Sequence, residues 1–378
     1  MAYSLNFRKL SIFLFTVMFL SFSLALWNEG MLLKRLGELL KWPSLLSISL
    51  VSLFLYRNNN LKKINVLSLL VLTFIISIGL STALSPYLNW GGVGNYILYV
   101  YLFIICFVIP VGINGKDLNY IIAVSIGFVS SITVVISAAS FMSTSSWWDG
   151  RYSGIFHNPN GMGSMALVAL LSAISFRKDM PRILFWGLIF TSVSIVFLSQ
   201  SRAVLLGLIV CIIMLSYKYL DFRKTIGSIF FVSLTLLLYI IYFKSSENFK
   251  SRDVVIGLDD ARANMLDTHI SLFLDSPYIG QGLSENINGG RLVSELAYAD
   301  ILSFSGIIGF TLFILSLLYV SWQGFKVFKM YDDYHVGNYL IFLSVLVMSI
   351  GEGYISSIGN SLPLFCWFYF STFRCQKN

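Results

Sequence analysis

Long apolar runs recur along almost the whole of this 378-residue chain, and no other feature constrains its fold as strongly. Charged residues make up only 12% of the sequence, about half the share that soluble domains carry. A run such as 64–84 is apolar at nearly every position, so it lacks the two-residue alternation of an outer-membrane β-strand. The sequence therefore predicts an all-α, polytopic membrane helical bundle.

About twelve transmembrane helices are expected, because each span needs about 20 apolar residues. They form one integral membrane domain over residues 1–378. The predicted spans are 10–27, 43–56, 64–84, 94–112, 119–142, 160–176, 183–199, 203–219, 225–243, 296–320, 337–351 and 356–373. The first run lacks a clean signal-peptide cleavage site, so we expect it to remain as a helix. The residues before the short second span are expected to form an interfacial amphipathic turn.

Basic residues indicate the orientation. Outside the longest loop, sixteen Lys and Arg residues lie on the side of the N-terminus and five on the other. Cytoplasmic loops carry the excess of Lys and Arg, so both termini are expected in the cytoplasm. The chain is thus predicted to be a multi-pass protein of the bacterial cytoplasmic membrane. The exceptional loop, residues 244–295, is predicted to be large and external, and long structured loops are usually functional.

Several function classes are excluded by what the sequence lacks. The net charge of +8 is dispersed in ones and twos between apolar runs, without the basic stripe of a nucleic-acid binder. There is no P-loop or dinucleotide fingerprint, and no dense cluster of metal-ligating residues. We therefore predict no nucleic-acid partner, no cofactor and no metal, and any reaction must use an already activated substrate.

Three of the arginines on the predicted external side, against the charge bias, lie next to motifs that suggest a site. They are Arg151, Arg202 in the turn between two spans, and Arg262 in the long loop. A guanidinium group is always charged and presents a fork of donors that fits phosphate oxygens. An interfacial arginine whose charge reaches water would explain any one of them. Three together favour an anion site.

Polar residues near these arginines are candidates for binding and acid–base chemistry. His157, Asn158 and Asn160 surround Pro159, which is expected to block a helix there, and Asn160 is expected to cap the next span or contact a glycan. The candidate bases are His269 in the loop and the carboxylates Glu295, Asp300 and Glu352. A carboxylate that is partly withdrawn from water can act as a base near neutral pH. Each could equally cap a helix or pair with an arginine.

Four motifs occur in a fixed order between about Arg151 and Phe310. They are Arg151-x-x-Gly154-x-x-x-Asn158-Pro159-Asn160, then Ser199-Gln200-Ser201-Arg202-Ala203, then Arg262 leading to Asp275-Ser276-Pro277-Tyr278-Ile279-Gly280-Gln281-Gly282, and finally Gly306-Ile307-Ile308-Gly309. In order and spacing this series resembles the O-antigen ligase and polysaccharide repeat-unit polymerase family.

The resemblance implies a multi-span (GT-C-like) glycosyltransferase that uses glycans on a polyprenyl diphosphate carrier. Its partners would be that lipid-linked oligosaccharide donor, a glycan acceptor and membrane lipid, together with a flippase and a chain-length regulator. Arg202 and Arg262 would hold the diphosphate leaving group, with Glu295 as the first choice of base and His269 as the second. Arg151, His157, Asn158, Asn160, Arg291 and Tyr298 complete the predicted set as substrate-binding residues.

One departure from the family pattern bears on the activity. The ligases of this family look as if they carry a histidine at the start of the span after the long loop. This chain has Glu295 at that position. This difference favours a polymerase that joins repeat units into O-antigen or capsular polysaccharide. The alternatives are an O-antigen ligase, which transfers the glycan to lipid A core, and a lipid-linked oligosaccharide flippase. A flippase is disfavoured because the two halves of the sequence show no internal repeat.

Overall fold

A computed structural model describes residues 2–27, 32–56, 66–108, 115–220, 257–283, 296–331, 333–356 and 360–373. Within these ranges the chain forms twelve α-helices and one two-stranded antiparallel hairpin. The helices are α1 Ala2–Leu24, α2 Leu32–Tyr56, α3 Val66–Leu84, α4 Trp90–Phe103, α5 Gly115–Ala139, α6 Pro159–Ser175, α7 Arg182–Leu198, α8 Arg202–Tyr219, α9 Gly257–Asp275, α10 Ala297–Met330, α11 Tyr334–Met348 and α12 Ser361–Thr372. The strands are β1 Trp147–Trp148 and β2 Arg151–Tyr152, and a π-helical turn, Ile104–Val108, extends α4.

Five of these helices are long and apolar enough to cross a membrane, namely α3, α4 with its π-helical extension, α5, α8 and α10. Three shorter apolar helices, α6, α7 and α11, accompany them. These properties support a helical membrane protein. The predicted ninth span, 225–243, lies outside the described residues, so the count of twelve spans stays a prediction.

Two element boundaries differ from the sequence prediction by ten residues or more. Helix α2 begins at Leu32 and continues through Pro43, where a turn followed by a short span had been expected. Close to the proline, the Ser44 hydroxyl donates a hydrogen bond to the carbonyl oxygen of Lys41 at 2.9 Å. Helix α10 runs to Met330, ten residues beyond the predicted end of its span at 320.

Polar groups of the described helices gather at two ends of the bundle. At one end, which we call the basic end, Arg8 stacks over the ring of Tyr120 at 4.0 Å. There too, Lys218 donates to the carbonyl oxygens of Phe328 and Tyr331, close to the end of α10. The turns 143–158, 199–201, 276–283 and 349–356 lie at the opposite end, which we call the loop end. All described site candidates are at the loop end.

The core is centred on α6, which is buried along most of its length and packs against α5, α7 and α11. Helix α12 is buried at every position and carries a run of aromatic rings that includes Phe365, Tyr369 and Phe370. Because α6 is enclosed on all sides, its N-terminus holds a fixed position at the loop end.

Helix α10 is interrupted at Gly306, whose φ of 62° and ψ of −173° are not helical. The segment 277–283, which follows α9, supplies partners to the interrupted backbone. The N–H of Ile307 donates to the carbonyl oxygen of Pro277 at 2.9 Å, and the N–H of Gln281 donates to that of Ser303 at 2.9 Å. A continuous span had been expected over 296–320. In the structure, residues 277–283, which we call the return segment, pack against the interruption. They supply hydrogen-bond partners to backbone groups that lipid could not satisfy.

Replacing Gly306 by alanine should lower stability. The positive φ disfavours any side chain, and an added Cβ would lie 2.5 Å from the carbonyl oxygen of Tyr278. We expect Gly306→Ala to cost more than about 1 kcal/mol, measured as a lower melting temperature of the detergent-solubilised protein.

The matched control is Gly187→Ala in α7, where an added Cβ meets no heavy atom within 4 Å. Alanine is the better helix former by about 1 kcal/mol, so this variant should melt at or above the wild-type temperature. Equal melting temperatures for the two variants would contradict the role assigned to Gly306.

Candidate functional site

The N-terminus of α6 is built by Asn158 and Pro159. The Asn158 side-chain oxygen accepts a hydrogen bond from the N–H of Asn160 at 2.8 Å, so Asn158 is the cap and Pro159 is the first helical residue. The expectation that Asn160 caps the helix was wrong, whereas the expectation that the proline keeps Asn158 out of the helix is confirmed by the extended backbone of Asn158. Proline suits the first helical position because the N–H that it lacks would have no partner there. Asn160 is consequently free of the capping role.

A tight hairpin presents Arg151 to this helix start. Strands β1 and β2 pair Trp148 with Arg151 across the two-residue loop Asp149-Gly150, and both loop residues have positive φ. An Asp-Gly pair between short apolar strands is a strong hairpin signal, and it could have predicted this element from the sequence.

Arg151 and Asn160 form the centre of a polar network. Arg151 Nε donates to the carbonyl oxygen of Ser199 at 2.9 Å, and Nη2 donates to Asn160 Oδ1 at 2.5 Å. The Asn160 side-chain amide in turn donates to Glu352 Oε1, and Glu352 is only 7% exposed. Arg151 therefore ties the α7–α8 turn to the start of α6, and its positive charge lies one residue away from a buried carboxylate.

Arg202 begins α8 directly after this turn. Gln200 has a φ of 50°, and the Ser201 hydroxyl accepts from the N–H of Val204 at 3.5 Å as the helix cap. The side chain of Arg202 is exposed. A helix N-terminus favours anions, so Arg202 adds a full positive charge to an already favourable position.

The turn 349–356 connects this network to a second cluster. Tyr354 OH lies 2.7 Å from Ser164 Oγ and donates to the carbonyl oxygen of Asn160 at 3.1 Å. Ser356 Oγ donates to Asp300 Oδ2 at 3.0 Å. Glu352 and Ser356 are four residues apart. An extended chain of that length reaches about 14 Å, so the two clusters are neighbours.

His269 and Asp300 form the second cluster. His269 Nε2 is 3.2 Å from Asp300 Oδ1 without the geometry of a hydrogen bond, and Nδ1 is 3.0 Å from Ser303 Oγ. The side chain of His269 is 2% exposed and that of Asp300 is 15% exposed. Burial lowers the pKa of His269, because desolvation disfavours the imidazolium form. Asp300 is thus the more solvent-accessible member of the pair.

The remaining predicted residues are not all part of these clusters. His157 is exposed and stacks on Trp148 with ring centroids 6.0 Å apart. Tyr298 OH donates to the carbonyl oxygen of Leu346 at 3.0 Å, within the bundle. Arg262 belongs to α9, two helical turns before His269. Arg291 and Glu295 lie outside the described residues, so their roles stay predictions.

Among the residues that the structure describes, no group of three or more His, Cys, Asp and Glu side chains is arranged to hold a metal ion. Comparison with protein-family models gives no match, and a search of curated protein sequences finds no significant relative. The geometry of the loop end is therefore the basis for a functional proposal.

The polar network of Arg151, Asn160 and Glu352, which is the first cluster, depends on Asn160. Asn160→Ala would remove one hydrogen bond from Arg151 and one from the buried Glu352, and a hydrogen bond to a charged group contributes about 1.5–3 kcal/mol. We expect a lower melting temperature in detergent. Asn264→Ala, at an exposed position on α9, should change stability by less than about 0.5 kcal/mol. Equal effects of the two variants would contradict the role assigned to Asn160.

Proposed function

We propose that the protein is a membrane glycosyltransferase that polymerises polyprenyl-diphosphate-linked oligosaccharide units into O-antigen or capsular polysaccharide. The observation that carries this proposal is the turn 349–356, which links a cluster containing Arg151 to the Asp300–His269 pair. Glycosyl transfer from a diphosphate needs a cationic group that stabilises the leaving anion. It also needs a base, such as a carboxylate, that accepts the proton of the acceptor hydroxyl.

The distribution of charge supports an external site. Arg8 and Lys218 lie at the basic end, and the positive-inside rule assigns that end to the cytoplasm. The loop end would then face the outside, where a lipid-linked glycan is presented after its translocation. Both termini would be cytoplasmic, as expected from the sequence.

In the proposed step, a hydroxyl oxygen of the acceptor glycan attacks the anomeric carbon of the donor. The bond between that carbon and the phosphate oxygen breaks, and its electron pair leaves with the polyprenyl diphosphate. Arg202 and Arg262 stabilise the charge that grows on the diphosphate. The proton of the acceptor hydroxyl passes to Asp300, and direct displacement inverts the anomeric centre.

We assign the role of general base to Asp300 and not to His269, because the side chain of Asp300 is the more exposed of the two. Ser303 Oγ donates to the carbonyl oxygen of Asp300 at 2.9 Å and lies 3.0 Å from His269 Nδ1, while Nε2 of the same ring faces Asp300 Oδ1. His269 then acts as a positioning residue for the carboxylate, and Ser356 holds the other carboxylate oxygen. Glu295, the first choice from sequence, stays an alternative base.

The position of Arg262 agrees with its proposed role. Arg262 lies seven positions before His269 on α9, and seven positions are nearly two full helical turns. Positions 262 and 269 therefore share one side of the helix, about 10 Å apart along its axis. The same side of α9 is turned towards α10 at His269, which is buried there.

Arg202→Ala should reduce chain extension by about 10²–10³-fold, because a donor to the developing charge is lost. The measurement is polymer formation from a purified lipid-linked repeat unit in proteoliposomes. Arg182→Ala is the matched control, since it removes an arginine from the first residue of α7, at the basic end. Normal extension by Arg202→Ala, or equal losses in both variants, would refute the assignment.

The rate of wild-type extension should fall only in solution more acidic than the ordinary pKa of histidine, which is about 6.5. Burial lowers the pKa of His269, so the ring is neutral at pH 7 and gains a proton only in more acidic solution. The imidazolium would then neutralise the neighbouring Asp300 and weaken it as a base. His269→Gln should be slower but should lose this acid limb, measured as extension rate against pH.

Two further variants separate the candidate bases. Asp300→Asn should lower extension by about 10²–10⁴-fold, whereas Glu295→Gln should leave most activity. The opposite result would transfer the role to Glu295, and an acid limb unchanged in His269→Gln would remove His269 from the mechanism.

Deletion of the gene separates the polymerase from the ligase and the flippase. Loss of a polymerase leaves single repeat units on the cell surface. Loss of a ligase leaves full-length polymer on the lipid carrier, and loss of a flippase traps repeat units inside. The first phenotype supports the proposal and either of the others overturns it.

A further inference from the structure

Helix α9 has three distinct faces. Leu266, Ile270 and Leu274 follow one another at four-residue spacing and are 42%, 46% and 66% exposed. His269 and Leu272, on another side, are 3% and 5% exposed and are covered by the bundle. The spacing of the three exposed residues makes an apolar stripe about 12 Å long on the surface of the helix.

The third face is polar and borders the stripe. It consists of Asn264, Asp267, Ser271 and Asp275, all of which are exposed. At 100° per residue, the apolar stripe covers the first 80° of the wheel from Leu266, the polar face the next 80° or so, and the buried face the remainder. An exposed helix in water has no need of an apolar face that is separate from its buried one.

The stripe continues onto surfaces of the transmembrane bundle. Tyr278 and Ile279, just after α9, are 71% and 40% exposed. The N–H of Ile308 in α10 donates to the carbonyl oxygen of Tyr278 at 3.3 Å, and Ile307 and Ile308 are themselves exposed. Further along α10, exposed apolar residues continue this surface at Leu315, Leu318 and Trp322.

Helix α10 is one of the helices that can span a membrane, so its exposed apolar side chains fit a lipid environment. The apolar stripe of α9 adjoins that surface at the loop end, and the polar face points away from it. A helix with bundle-facing, lipid-facing and water-facing sectors fits the boundary of a bilayer. A protein partner would not require the stripe to be continuous with α10.

We propose that α9 lies in the membrane–water interface at the loop end, with Leu266, Ile270 and Leu274 inserted among lipid acyl chains. Asp267 and Ser271 face water, and His269 faces the bundle. The lipid leaflet is thus the partner of this surface. The inference does not rest on the proposed enzymatic function, because it depends only on the exposure pattern of α9 and α10.

Nitroxide labels at two adjacent positions test the orientation. Ile270→Cys and Ser271→Cys are prepared in a Cys375→Ser background, since Cys106, Cys211 and Cys366 are buried and should not react. Each labelled protein is placed in nanodiscs of phosphatidylcholine and phosphatidylglycerol. Power saturation then compares collisions with oxygen, which concentrates in lipid, and with a water-soluble nickel chelate.

The label at Ile270→Cys should collide several-fold more with oxygen than with the chelate, and the label at Ser271→Cys should show the reverse. If the chelate reaches both labels equally, the stripe lies in water and the proposal fails. If neither reagent reaches the label at Ile270→Cys, protein covers the stripe, from a second copy or another segment of this chain, and the proposal fails as well. Activity of the Arg202→Ala variant has no bearing on these readings.

Discussion

The backbone groups exposed by the interruption at Gly306 determine how the loop end is assembled. Lipid offers no partner to a free N–H or carbonyl group, so an interrupted helix must be completed by another part of the chain. Residues 277–283 provide this completion, with hydrogen bonds such as that from Gln281 to Ser303. They thereby anchor the end of α9, and His269 contacts the side chain of the same Ser303. The hydrogen bonds that complete the interrupted helix α10 therefore also position the second cluster, His269 and Asp300.

A second constraint links the two clusters. Glu352 is buried, and a buried carboxylate needs hydrogen-bond partners. Asn160 supplies one and shares its other end with Arg151, so opposite charges are separated by a single amide. The turn that carries Glu352 also carries Ser356, which holds Asp300. Binding of an anion near Arg151 would thus act on a network that reaches the second carboxylate through a short turn.

Sequence reasoning predicted the helices well where a uniform apolar run defines them. The apolar run 64–84 forms helix α3, Val66–Leu84. A run of this length and composition can cross the lipid as a helix. It failed at Gly306, because the apolar pattern continues through the interruption and hides it. Gly280 and Gly282, which both have positive φ and lie against the interrupted helix or α3, were the available signal.

The candidate site was predictable in its residue types but not in its pairings. The arginines of the predicted external side and the acid–base candidates were proposed from their positions in the sequence, and these roles stay predictions. The hydrogen bond between Asn160 and Glu352 joins residues 192 positions apart, and no local pattern encodes it. The relative burial of His269 and Asp300 likewise follows from the packing of α9 on α10, which periodicity alone does not reveal.

The return segment, residues 277–283, also divides the long loop into parts that differ in how well they tolerate insertions. Leu283 is held to α3, where its N–H donates to Thr82 Oγ1 at 3.2 Å, and the chain is helical again from Ala297. Both ends of the connection 284–295 are therefore fixed to the bundle. Doubling the length of such a connection costs only about 0.6 kcal/mol. Insertions and exchanges can accumulate there during evolution while α9 and Asp300 keep their places.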